Sequence, residues 1–496
     1  MNDFGSEQKQ TFIRADGNAI IGFGHLMRAL AFATHAKRLT HVKLLIRNPD
    51  RIAIEACNHY AIPFDDISSI PESEEAHILG RLAGKGNIVF LDGYGFEEAY
   101  QQTIKRYGCF LVCMDDHHER FFYADCIINV AEISRPSDVR RLMGSRLVFG
   151  LKYALVRPEF SISEINPQRK NQLFVCFGGG TETLPLLYKT IDAISISKLS
   201  FDRILIILNE KLVESVHEYH HSKYTDLNIM VMSNVSSVLM AEIMKESSLG
   251  ITSSSTVSLE ARALGLPIVA GYYVDNQMGI YESLLKNHEI EELGSLIEIS
   301  VERLSDKLIR KYNLKNAFKG VVDSSQIKKN YAELIQSWVL EIDFSIRFTS
   351  DNDRKNILNL TDNHHLHNDF FSEFYQSEKS LDELQEEEKK KKKQFFSGIW
   401  KDNLTGVVAF HYLDNRCRID YLIHPEYKNH GFDEMMIRKG MQKCIDEEKS
   451  NFIFYAEVPI QDAESLRVYR NLYFEEKSEA DFFIFTFHGD VIPGTI

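Results

Sequence analysis

The strongest constraint on this chain is the regular alternation of short apolar runs with helix-like stretches. Between residues 10 and 158 the runs TFIRA, VKLLIR, NIVFLDG, CFLVCMDD and CIINV are separated by segments of helical periodicity such as HLMRALAFATHAKRL. Continuous apolar runs suit strands covered on both faces, and the segments between them are long enough to be crossover helices, so parallel sheets are implied. The pattern restarts near residue 172 with QLFVCFGGG, DRILIILN, LNIMVMS, SSLGITSS, the helix-like SLEARALGL and PIVAGYY. Two doubly wound domains, 1–160 and 161–342, are therefore expected, joined through the proline-containing VRPEFSISEINPQRKNQ. A chain of 496 residues exceeds what one core usually serves. A third domain, 343–496, reads in another order: polar helices first, then the strands FFSGIWKDN, TGVVAFHYLD and RCRIDYLIHP, and last a helix and strand mixture ending in DFFIFTFHG. Within it LQEEEKKKKKQ reads as a solvated helix or loop held by i,i+4 ion pairs.

Composition narrows the partners. A formal net charge of −14 disfavours broad contact with a phosphate backbone, so nucleic acid is not expected. No apolar run reaches the roughly eighteen residues of a spanning helix, and the polar start MNDFGSEQKQ is unlike a signal peptide, so no membrane contact and a cytoplasmic location are expected. The seven cysteines are scattered through apolar stretches and read as reduced core residues, with no metal-ligand spacing.

Five strings bear on chemistry. In Ile13-Arg14-Ala15-Asp16-Gly17-Asn18-Ala19-Ile20-Ile21-Gly22-Phe23-Gly24-His25-Leu26-Met27-Arg28, glycines 22 and 24 flank a turn and His25 opens a helix. A histidine there suits a general base, because its ordinary titration lies near neutrality and a helix start disfavours the imidazolium; a helix cap is the plain alternative. Ser253-Ser254-Ser255-Thr256-Val257-Ser258-Leu259-Glu260-Ala261 follows a strand, and hydroxyls with free amides at a helix start suit a diphosphate. Its alternative is an ordinary cap with a solvated Glu260. Phe177-Gly178-Gly179-Gly180-Thr181-Glu182 lets backbone approach a ligand but has neither the Walker nor the dinucleotide spacing. Asp275-Asn276-Gln277 offers amides to a sugar or a water, or else an Asx turn. Asp115-Asp116-His117 lacks a third spaced ligand and reads as structural or orienting, not as a metal site.

The string from Ile13 to Arg28 closely resembles the N-terminal signature of the UDP-sugar hydrolases of pseudaminic acid synthesis, relatives of glycosyltransferases with two facing Rossmann-like domains. Asp92-Gly93-Tyr94 resembles that family's Asp-Ser-Tyr, with glycine in place of serine, and Gly150 to Phe160 resembles its crossover segment. The resemblance implies an α/β fold of two Rossmann-like domains in a GT-B-like arrangement. It implies hydrolysis of UDP-2,4-diacetamido-2,4,6-trideoxy-altropyranose with inversion, without a cofactor or metal. His25 would be the base, with Tyr94 and Asn276 beside it. Gly22, Gly24, Arg28, Gly179, Gly180, Ser254, Ser255, Thr256 and Gln277 would surround the UDP-sugar, and Glu260 would accept the ribose hydroxyls. A glycosyltransferase, with a sugar hydroxyl replacing water, and a non-catalytic nucleotide-sugar-binding regulator are the other readings.

The order of elements in 343–496 resembles the GCN5-related N-acetyltransferases (GNAT), a further α/β fold. His424 to Asp433 resembles their pyrophosphate loop, which implies that Lys428, Asn429, His430 and Gly431 contact acetyl-CoA as co-substrate. Asp433 stands where the family has a small residue, which sets a carboxylate beside a diphosphate. Ser465 to Phe474 resembles the closing motif, so Tyr469 would protonate the departing thiolate, unless it is a core aromatic on an amphipathic helix. The implied acetyl transfer goes to the 4-amino group of the UDP-sugar precursor.

Overall fold

The first set of apolar runs becomes seven strands: β1 Gln10–Ala15, β2 His41–Ile46, β3 Phe64–Asp66, β4 Ile88–Asp92, β5 Phe110–Met114, β6 Cys126–Asn129 and β7 Arg146–Phe149. They lie in the order β3-β2-β1-β4-β5-β6-β7, and the pairs β1–β2, β1–β4, β2–β3 and β4–β5 are parallel. Every residue of β4, β5 and β6 is buried, as strands covered on both faces require. The protein is described by a computed structural model over residues 9–18, 21–116, 120–131, 139–161, 169–314, 324–350, 352–353, 355–356, 393–448 and 452–489.

The second set becomes β8 Lys170–Cys176, β9 Arg203–Ile207, β10 Ile229–Met232, β11 Ser247–Ser253, β12 Ile268–Tyr272 and β13 Ile290–Ser295. Their order is β10-β9-β8-β11-β12-β13 and all five pairs are parallel. In both sheets the order reverses direction beside the first strand of the set, and ligands of such folds bind at the carboxyl ends of the strands near that point.

The C-terminal strands are β14 Phe344–Phe348, β15 Lys393–Trp400, β16 Asn403–Leu413, β17 Arg416–Ile423, β18 Phe452–Pro459, β19 Glu475–Ser478 and β20 Phe482–Gly489, in the order β14-β15-β16-β17-β18-β20-β19. This sheet is antiparallel except for β17 and β18. Those two pair only from Arg416↔Ile453 to Arg418↔Tyr455, and both continue past the last pair, so a wedge opens between them. The sequence placed polar helices at the start of this segment. Instead FSIRF is a strand paired with β15, because its apolar residues alternate with polar ones. The block LQEEEKKKKKQ lies outside the described residues except for Lys393 and Gln394, which open β15.

The chain divides into two compact units. One holds Met1–Arg120, Ile127–Ser134 and Val148–Leu334, and so both parallel halves. The other holds Phe121–Cys126, Arg135–Leu147 and Ile335–Ile496. Two pieces of sequence from the first segment thus group with the C-terminal sheet. There Met143 packs on the core, while Arg438 donates to the Gly144 carbonyl at 2.6 Å and to buried Glu341 at 2.8 Å.

In the first unit, helix Gly24–Ala36 is held against β4 by Phe32 stacked on Phe90, with centroids 3.9 Å apart. At its far end His35 stacks on Tyr331 of helix Ser324–Ile342, 5.2 Å between centroids. Burial, followed by the charges of Arg38 and Lys328, pushes the His35 imidazole down to about 4. The unfolded chain then binds a proton between about pH 6.5 and 4 that the folded chain refuses, so His35 lowers stability as pH falls through that window. Thermal melts from pH 7 to 4.5 should therefore show a shallower fall for His35→Phe than for the wild type. Superimposable pH slopes would remove His35 from the account.

Candidate functional site

Gly22, at φ 84°, takes the left-handed conformation that turns the chain between β1 and helix Gly24–Ala36, and its N–H and C=O face those of Asn18. Gly24 is the first residue of that helix, and His25 follows in its first turn. Asp92 is the last residue of β4, fully buried, and its Oδ1 lies 2.7 Å from His25 Nδ1. That bond fixes the ring and leaves Nε2 as the nitrogen able to accept a proton. Burial pushes the Asp92 carboxyl up, but the Arg28 guanidinium and the His25 contact outweigh it and bring it down to about 2.

Arg28, one turn beyond His25, donates through Nε to Asp92 Oδ2 at 2.8 Å and through an Nη to Asp92 Oδ1 at 2.6 Å. Its other edge holds both oxygens of Asp116, at 2.7 and 2.8 Å. The guanidinium is thus engaged on both edges by the protein itself. Asp115 is buried and its N–H donates to Ile128, while His117 lies outside the described residues. Neither Asp92 nor Asp116 was singled out for this role by sequence; the acids stood in the quoted motifs, but 64 and 88 residues separate them from Arg28.

Tyr94 sets its ring edge-on to His25, with centroids 4.5 Å apart, and its hydroxyl accepts the Asn276 side-chain N–H at 2.7 Å. Asn276, from the second parallel half, thus bonds the tyrosine that packs on the imidazole. Asn276 Oδ1 is buried with no partner among the described residues, an acceptor open to a donor from elsewhere. Gly93 stands where the resembling family has serine because a Cβ there would come within 2.9 Å of the Phe96 ring. Gln277 is buried, and its Oε1 accepts the Tyr273 N–H at 3.1 Å. It braces the turn after β12.

At the end of β11 the hydroxyls divide. Ser254 is fully buried, whereas Ser255 and Thr256, at the start of helix Thr256–Ala263, are half-buried. Glu260 is 1% exposed, and both of its oxygens are held by Arg157, at 2.6 and 2.7 Å. The ribose reading of Glu260 needs a carboxylate at the surface; here its oxygens face an arginine from the crossover. Gly179 is exposed and its carbonyl accepts from Asn209 at 2.6 Å. Gly180 lies under the carboxylate of Glu182, which fills the space a side chain would take.

In the C-terminal unit the turn before helix Phe432–Glu448 carries Asn429 at φ 63° and Gly431 at φ 78°, with Lys428, Asn429 and His430 exposed. Lys428 reaches Glu464 at 3.2 Å. Asp433 is 1% exposed: its Oδ1 accepts the Glu434 N–H at 2.9 Å, and burial pushes the carboxyl up. The side chain thus turns inward and caps its own helix. Tyr469 is 2% exposed, lies in the core and stacks on Phe485. Its hydroxyl nevertheless meets the carbonyl of Ile419 at 3.4 Å, one residue past the point where β17 and β18 stop pairing.

Comparison with known proteins agrees with the resemblances drawn from the sequence. Residues 360–474 match the acetyltransferase (GNAT) family. Over 291 residues the chain is 24% identical to the UDP-2,4-diacetamido-2,4,6-trideoxy-beta-L-altropyranose hydrolase of Campylobacter jejuni, covering 57% of this chain and 98% of that one. It is 25% identical over 300 residues to an uncharacterised protein of Methanocaldococcus jannaschii, covering 58% of this chain but only 60% of the length of that relative. Among solved structures, MurG of Acinetobacter baumannii aligns with a TM-score of 0.47 at 14% identity, over 66% of this chain and 99% of that one.

The Arg157–Glu260 pair generates a stability test. Arg157→Leu strands a buried carboxylate and should cost about 3–5 kcal/mol, whereas adding Glu260→Leu should restore most of the loss in urea unfolding. A double variant no more stable than the single one would show that Glu260 is not held by this pair.

Proposed function

We propose that the unit built from the two parallel sheets hydrolyses a UDP-linked 2,4-diacetamido-2,4,6-trideoxyhexose to the free sugar and UDP, with inversion at the anomeric carbon. The observation that carries this reading is the 2.7 Å bond between His25 and buried Asp92, with Tyr94 edge-on to the same ring and Asn276 bonded to the Tyr94 hydroxyl. Asp92 holds the imidazole by Nδ1, so Nε2 takes the proton from water as the water oxygen attacks the anomeric carbon. The bond from that carbon to the diphosphate oxygen breaks, and its electron pair leaves with UDP. Because UDP departs as a stabilised anion, no strong general acid is needed. The half-buried hydroxyls of Ser255 and Thr256 and the amides at the start of helix Thr256–Ala263 are the groups suited to its charge. Asn276 Oδ1 is suited to accept the N–H of an acetamido group, and Arg28 serves the site through Asp92. Similarity to the Campylobacter hydrolase over nearly its whole length supports the substrate class.

The C-terminal unit is proposed to transfer an acetyl group from acetyl-CoA to an amine of the UDP-sugar precursor, a reading supported by the match of residues 360–474 to the GNAT family. The exposed turn Lys428-Asn429-His430-Gly431 would meet the cofactor's diphosphate, and the wedge between β17 and β18, with the Tyr469 hydroxyl beside it, would take the thioester.

His25→Ala should leave UDP binding nearly unchanged while lowering release of free sugar by roughly 10²-fold or more, and NMR of the nascent sugar should show inversion. Turnover within a few-fold of wild type, or retention, would reject the mechanism. Sugar released only on adding an acceptor would identify a glycosyltransferase instead. For the second activity, Asp433→Asn removes a negative charge beside the proposed diphosphate seat and should tighten acetyl-CoA binding to the full chain at pH 8 by roughly fivefold or more. Calorimetry giving equal or weaker binding would place the diphosphate elsewhere.

A further inference from the structure

We propose that Arg28 is a positioning residue whose charge, shared between Asp92 and Asp116, sets the pH range over which His25 can take a proton from water. The proposal rests on the hydrolase reading of this site and assigns Arg28 a part other than contact with the nucleotide sugar.

A carboxylate favours positive charge on a group bonded to it, and only a neutral imidazole can act as a base; Asp92 Oδ1 lies 2.7 Å from His25 Nδ1. Asp92 does not stand alone: both of its oxygens accept from Arg28, and the oxygen bonded to His25 is the one that also receives the 2.6 Å contact. The nearer Arg28 nitrogen lies 3.4 Å from His25 Nδ1, so a positive charge on the ring would face the guanidinium directly. Arg28 thereby opposes what Asp92 favours. Asp116 acts on the balance from the far side, because its two bonds draw the guanidinium and offset part of its charge.

The charged and titratable groups around the ring come from each element packed on it. Arg28 belongs to the same helix, Asp92 ends β4, Tyr94 follows β4 and Asp116 follows β5. From the other half Asn276, which carries no charge, bonds the Tyr94 hydroxyl. Asp92 is held down near 2 and Arg28 well above its ordinary range, while burial and then Asp116 push the Tyr94 phenol up. None of these three changes charge between pH 5 and 9, and histidine is the side chain that ordinarily does. The acid limb of a pH–rate profile therefore reports how the imidazole is balanced.

The test follows release of UDP from UDP-2,4-diacetamido-2,4,6-trideoxy-β-L-altropyranose between pH 5 and 9, using the full chain. In Arg28→Gln the acid limb should move to higher pH by at least about one unit, the lower bound for a unit charge 3.4 Å away in a water-like dielectric. The rate should then approach wild type again near pH 9. Arg28→Lys, which keeps the charge, should hold the limb near its wild-type position. Asp116→Asn, which removes an anion, should move it the opposite way. If Arg28→Gln does not fold, Arg28→Gln with Asp116→Asn leaves one unmatched carboxylate instead of two and should still show the upward shift relative to Asp116→Asn. A loss of rate by one constant factor at every pH, or a rise in KM with the limb unmoved, overturns the proposal and returns Arg28 to a structural or substrate-binding part. Wild-type protein that never releases UDP overturns the hydrolase reading itself, and the proposal with it.

Discussion

Asp92 is the group on which the site depends. A carboxylate with no exposure at the end of a central strand is tolerable only when cations and donors surround it. Helix Gly24–Ala36 supplies both from successive turns, His25 on one side and Arg28 on the other. That requirement fixes the helix in rotation and in register against β4, and Phe32 stacked on Phe90 fixes its distance. The geometry of the imidazole is therefore a property of the sheet and helix, not of a loop free to move by itself.

The remaining groups gather for a topological reason. Asp92, Asp116, the Phe177–Gly180 turn, Ser253–Thr256 and Asp275–Gln277 all stand at or just beyond the carboxyl ends of parallel strands. Parallel sheets bring those ends to one side, where strand order reverses. The contact from Asn276 to Tyr94 joins the two halves at this side, and the pair from Arg157 to Glu260 ties the crossover to the second half. The sequence shows the first relation through motifs that follow apolar runs. It hides the second, because the partners are separated by 103 residues and neither stands in a pattern that names the other.

What could be read in the chain divides along the same line. The parallel sheets were legible because buried strands need continuous apolar runs and crossover helices need periodic ones, both local properties. The placement of His25, Tyr94 and Asn276 beyond strand ends was legible because each sits in a short string that follows an apolar run. The partners of Arg28 and Glu260 were not, since a side chain's engagement depends on which distant carboxylate or guanidinium the fold delivers. Ser254 and Gln277 show the same limit at shorter range: one residue along a tight turn decides between the surface and the interior, and residue type does not record which way the chain rotates. Strand β14 escaped for a plainer reason. Five residues of alternating polarity beside a long helix carry little signal until β15 is present to pair with them.

Asp433 illustrates how a residue that breaks a motif can be consistent with the fold that contains it. An acid facing an open anion site would repel the anion, and on sequence grounds the substitution argues against such a site. Turned inward, the same carboxyl satisfies an N–H at the start of its own helix and sits 3.6 Å from Arg467, so its charge has a structural use before any ligand arrives. Burial opposes ionisation while the helix start and Arg467 favour it, and the charge actually presented to the turn at Lys428–Gly431 is the difference between them. A glycine or alanine at this position would leave the Glu434 N–H without that acceptor. With an aspartate there, an anion at this turn would also meet that carboxylate and Arg467 of helix Ala463–Asn471.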